Sequence, residues 1–479
     1  MSATTRSRLP DGFEVRLRDD VLRAEGGRVL VGGSPTRVAR LSDRARALLQ
    51  GARLVVDGPT SAALARRLLD GNLADPVVDG IEVSADDLTV VVPARDRVEQ
   101  LGRCLAALAP LRVLVVDDAS EDSATVARVA KQYGAGVVPL AHNVGPAGAR
   151  NVGLALVCTP LVAFVDSDVV VDGPTLLDLA RHCADSQVAL VAPRVVGNPQ
   201  RSRPRWFERY DAAASSLDLG RIACQVRPGG AVAWLPSACL VGRAELLGDG
   251  FDPELRVGED VDLVWRLHAA SLTVRYDPSA VARHDVRSTV RAWLGRKFVY
   301  GTGGAALARR HGANLAPASL SLTMAVGAAA VLQRRWWSAP VAAAAVAWST
   351  WGLRTRLPLG RGRTVLAAWL SARGLGWAVR QEAGLVLRHW WPLAAVGAVG
   401  SRSVRRILVS AVAVDLVMFL RERPGVDLPT VLLARRLDDL AYGAGLWWGA
   451  IGQRSARCLA VRRPRATRRG LFRVASSDT

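Results

Sequence analysis

No two of the six cysteines form a Cys-x-x-Cys pair, and none lies near a histidine at zinc-finger spacing. Cys104, Cys158, Cys183, Cys224, Cys239 and Cys458 therefore define no zinc finger and no redox dithiol. Several sit inside apolar runs, where a free cysteine behaves as a small hydrophobe. The N-terminus lacks the apolar core of a secretory leader, so a reducing, cytoplasmic setting is expected for the first 310 residues. Acidic charge is scarce relative to basic: the formal charge is +20, almost all of it from arginine. Such an excess points to acidic partners. No helix-turn-helix, zinc-finger or RNA-binding aromatic signature accompanies it, which argues against nucleic acid. Much of the arginine lies between and after C-terminal apolar segments, at Arg354, Arg356, Arg361, Arg363, Arg402, Arg405 and Arg406. An anionic membrane lipid surface is the expected partner for these.

What is present is organised in blocks. A chain of 479 residues is long enough for two or three domains. From Leu9 to Asp75 the pattern is a small module: β-like runs at Phe13–Leu17 and Arg28–Val31, then helices starting at Ser42 and spanning Ala62–Leu69. Two strands followed by two short helices suit a winged-helix-like α+β module or a structural extension. Asp70–Asp87, with Pro76 and Gly80, has linker composition. From Leu88 strands and helices alternate: Leu88–Pro93, Val98–Leu108, Arg112–Val116, Ser123–Tyr133, Gly136–Val138, Ala147–Leu156 and Leu161–Val165. That alternation predicts a mostly parallel sheet with helices on both faces, and ligands beyond the C-terminal strand ends. The expected boundaries are 1–80 for the module, 81–310 for the α/β domain, 311–453 for a hydrophobic helical region and 454–479 for a basic tail.

Acidic residues fall at those strand ends. Asp166-Ser167-Asp168 follows the apolar run Leu161–Val165, and two carboxylates so spaced can approach one hard cation, Mg²⁺ or Mn²⁺, that also binds a diphosphate. A solvated turn is the bland alternative. Asp117-Asp118-Ala119-Ser120 follows Val113–Val116; a carboxylate there can accept from a nucleobase imide or ribose, while Ser120 and Asp122 are candidate helix caps. His142–Asn151 has small residues before a helix, with Asn143 and Gly145 in the loop and Arg150 placed to pair with phosphate. Gly258-Glu259-Asp260-Val261-Asp262 precedes an apolar helix-like run. Asp260 is the candidate base for an acceptor hydroxyl and Asp262 the structural one; an acidic first turn favoured by the helix dipole is the alternative. His284 is a candidate metal or phosphate ligand, although a lone histidine is more often structural, and Trp234 either stacks on a sugar or packs in the core.

In order, Val91-Val92-Pro93, Val116-Asp117-Asp118-Ala119-Ser120, Asn143-x-Gly145, Asp166-x-Asp168 and Glu259-Asp260 resemble glycosyltransferase family 2 over roughly Leu88 to Val290. The resemblance implies a Rossmann-like GT-A domain, a nucleotide-sugar donor, a divalent cation and inversion at the anomeric carbon. It implies that Pro93, Ala94, Arg95, Asp117, Asp118, Asn143, Gly145, Arg150, Asp166 and Glu259 bind the nucleotide or donor, that Asp168 and His284 hold the metal, and that Asp260 is the catalytic base. A Gln-x-x-Arg-Trp motif is missing after Asp260, which argues against a processive polysaccharide synthase. The flanks, Gly12-Phe13, Leu30–Pro35, Leu41-Ser42 and Leu437–Trp447, are similar to mycofactocin-system glycosyltransferases. That similarity implies transfer of glucose units from UDP-glucose to a peptide-derived redox cofactor or its precursor. A lipid or cell-wall glycan acceptor is the alternative, and a non-catalytic binding scaffold is disfavoured by the presence of a base.

Ten of the 14 tryptophans lie beyond Ala330. Apolar stretches run Pro317–Leu332, Trp336–Leu353, Val365–Val379, Ala383–Gly400, Ile407–Leu420 and Leu440–Ile451, with tryptophan pairs at 336–337, 390–391 and 447–448. Most fall short of the roughly 20 residues a spanning helix needs. The tryptophan pairs suit interfacial belts. An all-α, membrane-associated region with a few spanning or half-inserted helices is expected, the catalytic domain lying on the cytoplasmic side of the cell membrane; a soluble helical domain is the rival.

Overall fold

The computed structural model describes residues 8–49, 51–360, 362–423, 425–462 and 471–473. Most of the expected basic tail, and Arg361, lie outside them. The described residues fall into two compact units. Met1–Gln200, Ser215–Val286 and Phe472–Thr479 bound the first, Arg201–Ala214 and Arg287–Leu471 the second.

The first unit opens with β1 (Glu14–Leu17), β2 (Leu22–Ala24), β3 (Val29–Gly32), β4 (Arg37–Arg40), α1 (Asp43–Leu48), β5 (Arg53–Val55), α2 (Pro59–Asp70) and β6 (Ala74–Val77). The expected runs become β1 and β3, and the Ser42 hydroxyl caps α1 by accepting from the Ala45 N–H at 3.2 Å. β1 lies between β5 and β6, both antiparallel to it, and β3 lies between β2 and β4. The module is α+β, but β5 separates α1 from α2, where a helix-turn-helix has a turn of about three or four residues. The stretch expected to be a linker contains β6. Pro76 is tolerated there because β6 is an edge strand, so its missing N–H breaks no ladder.

The sheet domain follows as β7 (Leu88–Ala94), α3 (Val98–Leu108), β8 (Arg112–Asp117), α4 (Ser123–Gln132), β9 (Gly136–Pro139), α5 (Gly145–Leu156), β10 (Leu161–Val165), β11 (Val169–Val170), α6 (Gly173–Ala180) and β12 (Val188–Asn198). The chain leaves the sheet for α7 (Trp206–Ala213), which belongs to the second unit, and returns as β13 (Cys224–Gln225), β14 (Cys239–Arg243), α8 (Glu259–Ala269) and β15 (Thr273–Asp285). The order is β11-β15-β12-β14-β10-β7-β8-β9, with β13 on β15. β10, β7, β8 and β9 are parallel, whereas β14 runs antiparallel between β10 and β12, so the sheet is mixed. Val90, Val92, Val115, Ala163 and Val165 are fully buried in a core shared with Leu101, Leu105 and Leu176 of the covering helices. Gly153 lets α5 lie close on the sheet: a Cβ there would come within 2.3 Å of Val91 Cγ1.

The second unit continues with α9 (Val290–Thr302), α10 (Gly304–His311), α11 (Leu322–Gln333), α12 (Ser338–Arg354), α13 (Arg363–Gly384), a π-helical turn at Leu385–His389, α14 (Trp391–Gly400), α15 (Arg402–Glu422) and α16 (Leu428–Gly452). The boundary between the two units thus falls near residue 286. Its reason is an aromatic core in which Phe207 and Tyr210 of α7 pack with Trp293 of α9 and Phe419 of α15. α9 and α16 pack through glycine; a Cβ on Gly445 would sit 1.9 Å from the Phe298 carbonyl oxygen. The Leu437–Trp447 motif supplies Asp438, which is buried and paired with Lys297 at 3.1 Å and Arg388 at 3.5 Å. Among the described residues, no helix is long and apolar enough to cross a membrane, which corrects the expectation of spanning helices. Polar residues break the hydropathy: Asp415 within α15 pairs with Arg435, and Arg388 interrupts the stretch before α14.

The N-terminal module is fastened to the sheet domain by charge. Arg66 of α2 donates to both oxygens of Asp185 at 2.6 and 2.7 Å, and Arg275 of β15 donates to the same carboxylate at 3.2 Å. Asp185 is buried, so losing its bidentate partner leaves poorly compensated charge in the interior. Arg66→Ala should lower stability by about 3 kcal/mol, read as the shift of the denaturant midpoint; an unchanged midpoint would locate the fastening elsewhere.

Candidate active site

The C-terminal ends of β7, β8 and β10 place the acidic motifs along one edge of the sheet. Pro93 and Ala94 end β7, and Arg95 lies exposed beyond them, 3.3 Å from Asp96. Asp117 ends β8, fully buried. Its Oδ1 accepts from the Ser120 N–H at 3.1 Å, and its Oδ2 accepts from the Ser123 hydroxyl. This expected base-binding carboxylate therefore already holds the first turn of α4. Asp122, not Ser120, caps that helix, accepting from the Thr125 N–H at 3.0 Å.

Asp118 is also buried and organises the neighbouring loop. It accepts from Asn143 Nδ2 at 2.8 Å, the Val144 N–H at 2.7 Å and the Gly145 N–H at 3.0 Å. Gly145 has φ +78°, where a side chain would be strained. Asp118 and Asn143 thus shape the entrance to α5 and keep each other occupied.

Arg150 lies on α5 with its side chain only 2% exposed. It donates to Asp166 Oδ1, reaches Glu259 Oε1 at 3.4 Å, and stacks over the Phe251 ring at 5.3 Å. Burial alone would lower its pKa; Asp166 and Glu259 outweigh burial and raise it, so the guanidinium stays charged. Three elements remote in sequence meet on this one cation: α5, the β10 exit and the first turn of α8.

Asp168 is buried. Its Oδ2 meets Arg97 Nη1 at 2.6 Å and its Oδ1 lies 3.6 Å from His284 Nε2. The two expected metal ligands are brought together because β11 pairs Val169 with His284. A carboxylate and an imidazole fit Mn²⁺ or Mg²⁺, which complete their shells with phosphate oxygens and water. Among the described residues no group of three or more His, Cys, Asp or Glu is arranged for a metal.

Asp260 sits in the first turn of α8, which is entered through Gly258 at φ 86°. Part of its surface reaches solvent, but its carboxyl faces protein. Oδ1 accepts from the Val261 N–H at 2.8 Å and Oδ2 from the Ser237 N–H at 3.3 Å. Burial first, and the neighbouring Glu259 carboxylate second, push its pKa up to about 7, against those two N–H groups and Arg150. Asp262 is structural, as expected: it is buried and accepts from Arg266 Nε at 2.7 Å. Trp234 is half-buried on the loop before Ser237, and Trp265 donates from Nε1 to the Ala233 carbonyl at 2.7 Å.

Sequence reasoning missed Arg97, Asp96 and Ser237. Asp96 accepts from the Glu121 N–H at 2.7 Å, and the Ser120 hydroxyl accepts from the Asp96 N–H at 3.0 Å, so the loops after β7 and β8 are laced together. The basic residue just before α3 was the one visible hint of Arg97; its partner lies 71 residues away.

A model described as Glycosyl transferase family 2 matches residues 89–248. The chain is 41% identical over 477 residues to the pre-mycofactocin glycosyltransferase of Mycobacterium tuberculosis, covering 95% of this chain and 98% of that protein. A shorter likeness, 36% over 91 residues, is to 4,4'-diaponeurosporenoate glycosyltransferase of Staphylococcus aureus, covering 17% of this chain and 24% of that protein. Among solved structures, a mannosyltransferase of Pyrobaculum calidifontis in complex with GDP-Man and Mn²⁺ matches with a TM-score of 0.41 and 17% identity, covering 76% of this chain and 87% of that one. The site and the matching family model are those of a nucleotide-sugar-dependent glycosyltransferase of the GT-A kind. The chain belongs to glycosyltransferase family 2 and, within it, to the mycofactocin-system glycosyltransferases.

Any step that needs the Asp260 carboxylate ionised should slow, seen as a fall in kcat/KM, as pH is lowered through about 7. Glu259→Gln removes a like charge and should move that acid limb down by about one pH unit. A limb that stays in place under this change would show that another group titrates.

Proposed function

We propose that the enzyme transfers a hexose, glucose from UDP-glucose, with inversion to the pre-mycofactocin acceptor, and that successive transfers build an oligosaccharide. The single observation carrying the chemistry is Asp260, held near neutrality in pKa and set beside the Arg150–Asp166 pair. Asp260 takes the proton of an acceptor hydroxyl. The hydroxyl oxygen forms the new bond to the anomeric carbon as the bond from that carbon to the β-phosphate oxygen breaks. The electron pair leaves with UDP. Arg150 keeps Asp166 oriented towards the donor, and Asp168 with His284 would hold the divalent cation, Mn²⁺ or Mg²⁺. The cation supplies charge neutralisation on the departing diphosphate. The acceptor is supported by the relative with 41% identity, a pre-mycofactocin glycosyltransferase; glucose comes from the family resemblance.

The test is incubation of the purified protein with UDP-glucose, Mn²⁺ or Mg²⁺ and the pre-mycofactocin acceptor, followed by mass spectrometry. Successive hexose additions are expected. Asp260→Asn should still bind UDP yet lose transfer by about 10²–10⁴-fold; normal transfer by that variant would remove Asp260 from the base role. UDP release with a lipid extract, but no sugar on the peptide-derived acceptor, would move the acceptor to the membrane.

We also propose that the helical unit rests on the cytoplasmic face of the cell membrane without crossing it. α14 has no charged side chain, and none of its residues is buried. Its Leu393, Val396 and Val399 are 62%, 75% and 85% exposed. Arg402, Arg405 and Arg406 follow at once, complementing anionic headgroups. The protein should float with phosphatidylglycerol vesicles and not with phosphatidylcholine alone. The double change Val396→Asp and Val399→Asp should abolish flotation. Retention of binding by that variant would mean that a different face meets lipid.

A further inference from the structure

We propose that Arg97 is an exchange cation: it neutralises Asp168 in the empty site, then passes to the donor diphosphate when the divalent cation takes Asp168. The inference rests on the donor-and-cation reading above. Arg97 stands where β7 gives way to α3, as the residue preceding the helix, and its side chain caps nothing there. Its guanidinium lies 2.6 Å from Asp168 Oδ2, yet the side chain is 40% exposed, while Asp168 is 8% exposed. A buried carboxylate requires a counter-charge, and here it comes from a long, half-solvated side chain free to swing.

The electrostatics force a choice. A guanidinium and a divalent cation on the same carboxylate repel, so both cannot occupy Asp168 at full strength. A diphosphate held by that cation brings negative charge to within reach of the displaced guanidinium, whose planar fork suits phosphate. Every charge is paired both before and after the exchange. The helix stays in place while Arg97 moves: Arg103, further along α3, is bonded to Asp285, and the Asp285 N–H donates to the Asp168 carbonyl at 3.0 Å.

The test is the sign of two binding changes in one variant. Free Mn²⁺ is followed by electron paramagnetic resonance without nucleotide, and UDP binding by calorimetry at saturating Mn²⁺. Arg97→Ala should bind Mn²⁺ alone about tenfold more tightly, and UDP about tenfold more weakly. Arg97→Lys, which keeps the charge, should lie near wild type for both. A residue that merely braces the loop would weaken both together or change neither; either result overturns the exchange. Asp168→Ala separates the two levels of inference. Loss of Mn²⁺ affinity in that variant supports the site on which Arg97 acts, whereas wild-type Mn²⁺ affinity would defeat the cation reading and the exchange with it. A thermal midpoint for Arg97→Ala close to wild type certifies that the variant is folded.

Discussion

One buried guanidinium organises the catalytic edge. Arg150 is enclosed on α5, and removing its charge from water is costly unless carboxylates meet it. Asp166 and Glu259 do so from the exit of β10 and the start of α8. Without that cation, the carboxylates of Asp166, Glu259 and Asp260 would converge unpaired and repel one another. With it, Glu259 and Asp260 can share a helix turn, and the repulsion between them becomes useful by holding the Asp260 pKa near 7. The positions of Asp166 and of the Glu259–Asp260 turn are therefore coupled through one residue, Arg150.

Around this centre the acidic residues divide into those that build and those that are left to act. Asp117, Asp118 and Asp262 are buried and engaged by neighbouring N–H groups, hydroxyls or Arg266. They set loops and helix starts. Asp168 is met by the part-exposed Arg97 side chain, and Asp260 by two backbone N–H groups at 2.8 and 3.3 Å. Residues of one type, only tens of positions apart, thus take separate roles because their desolvation and partners differ. The same logic operates in the helical unit, where Asp438 looks like a motif residue but serves to hold Lys297 and Arg388 inside.

Much of the catalytic domain was legible from residue pattern. The alternating runs from Leu88 to Val165 became β7 to β10 with their helices nearly as bounded, since a strand buried on both faces carries an unbroken Val-rich run. Ser42 marked the start of the first helix of the N-terminal module correctly, because capping is local. β6 was unreadable because Pro76 and short length mimic a linker, and only pairing with β1 makes it a strand. The helical region was over-read as spanning. Apolar composition does not reveal that Asp415 and Arg388 are paired within it, or that its helices break at a π-turn and at Ser401.

By itself the sequence determined the order of the carboxylate motifs, the parallel run of strands that carries them, and the structural part of Asp262. Each depends on residues within a few positions of one another, where period, capping and turn preferences act. Only the tertiary structure decided which carboxylates would be spent on loops, that Arg97 reaches Asp168 across 71 positions, that His284 falls beside it through the β11–β15 pairing, and that α7 leaves the sheet domain for an aromatic core. These are long-range meetings set by strand order and burial. A single chain read in order carries no record of which distant charge will be enclosed with which.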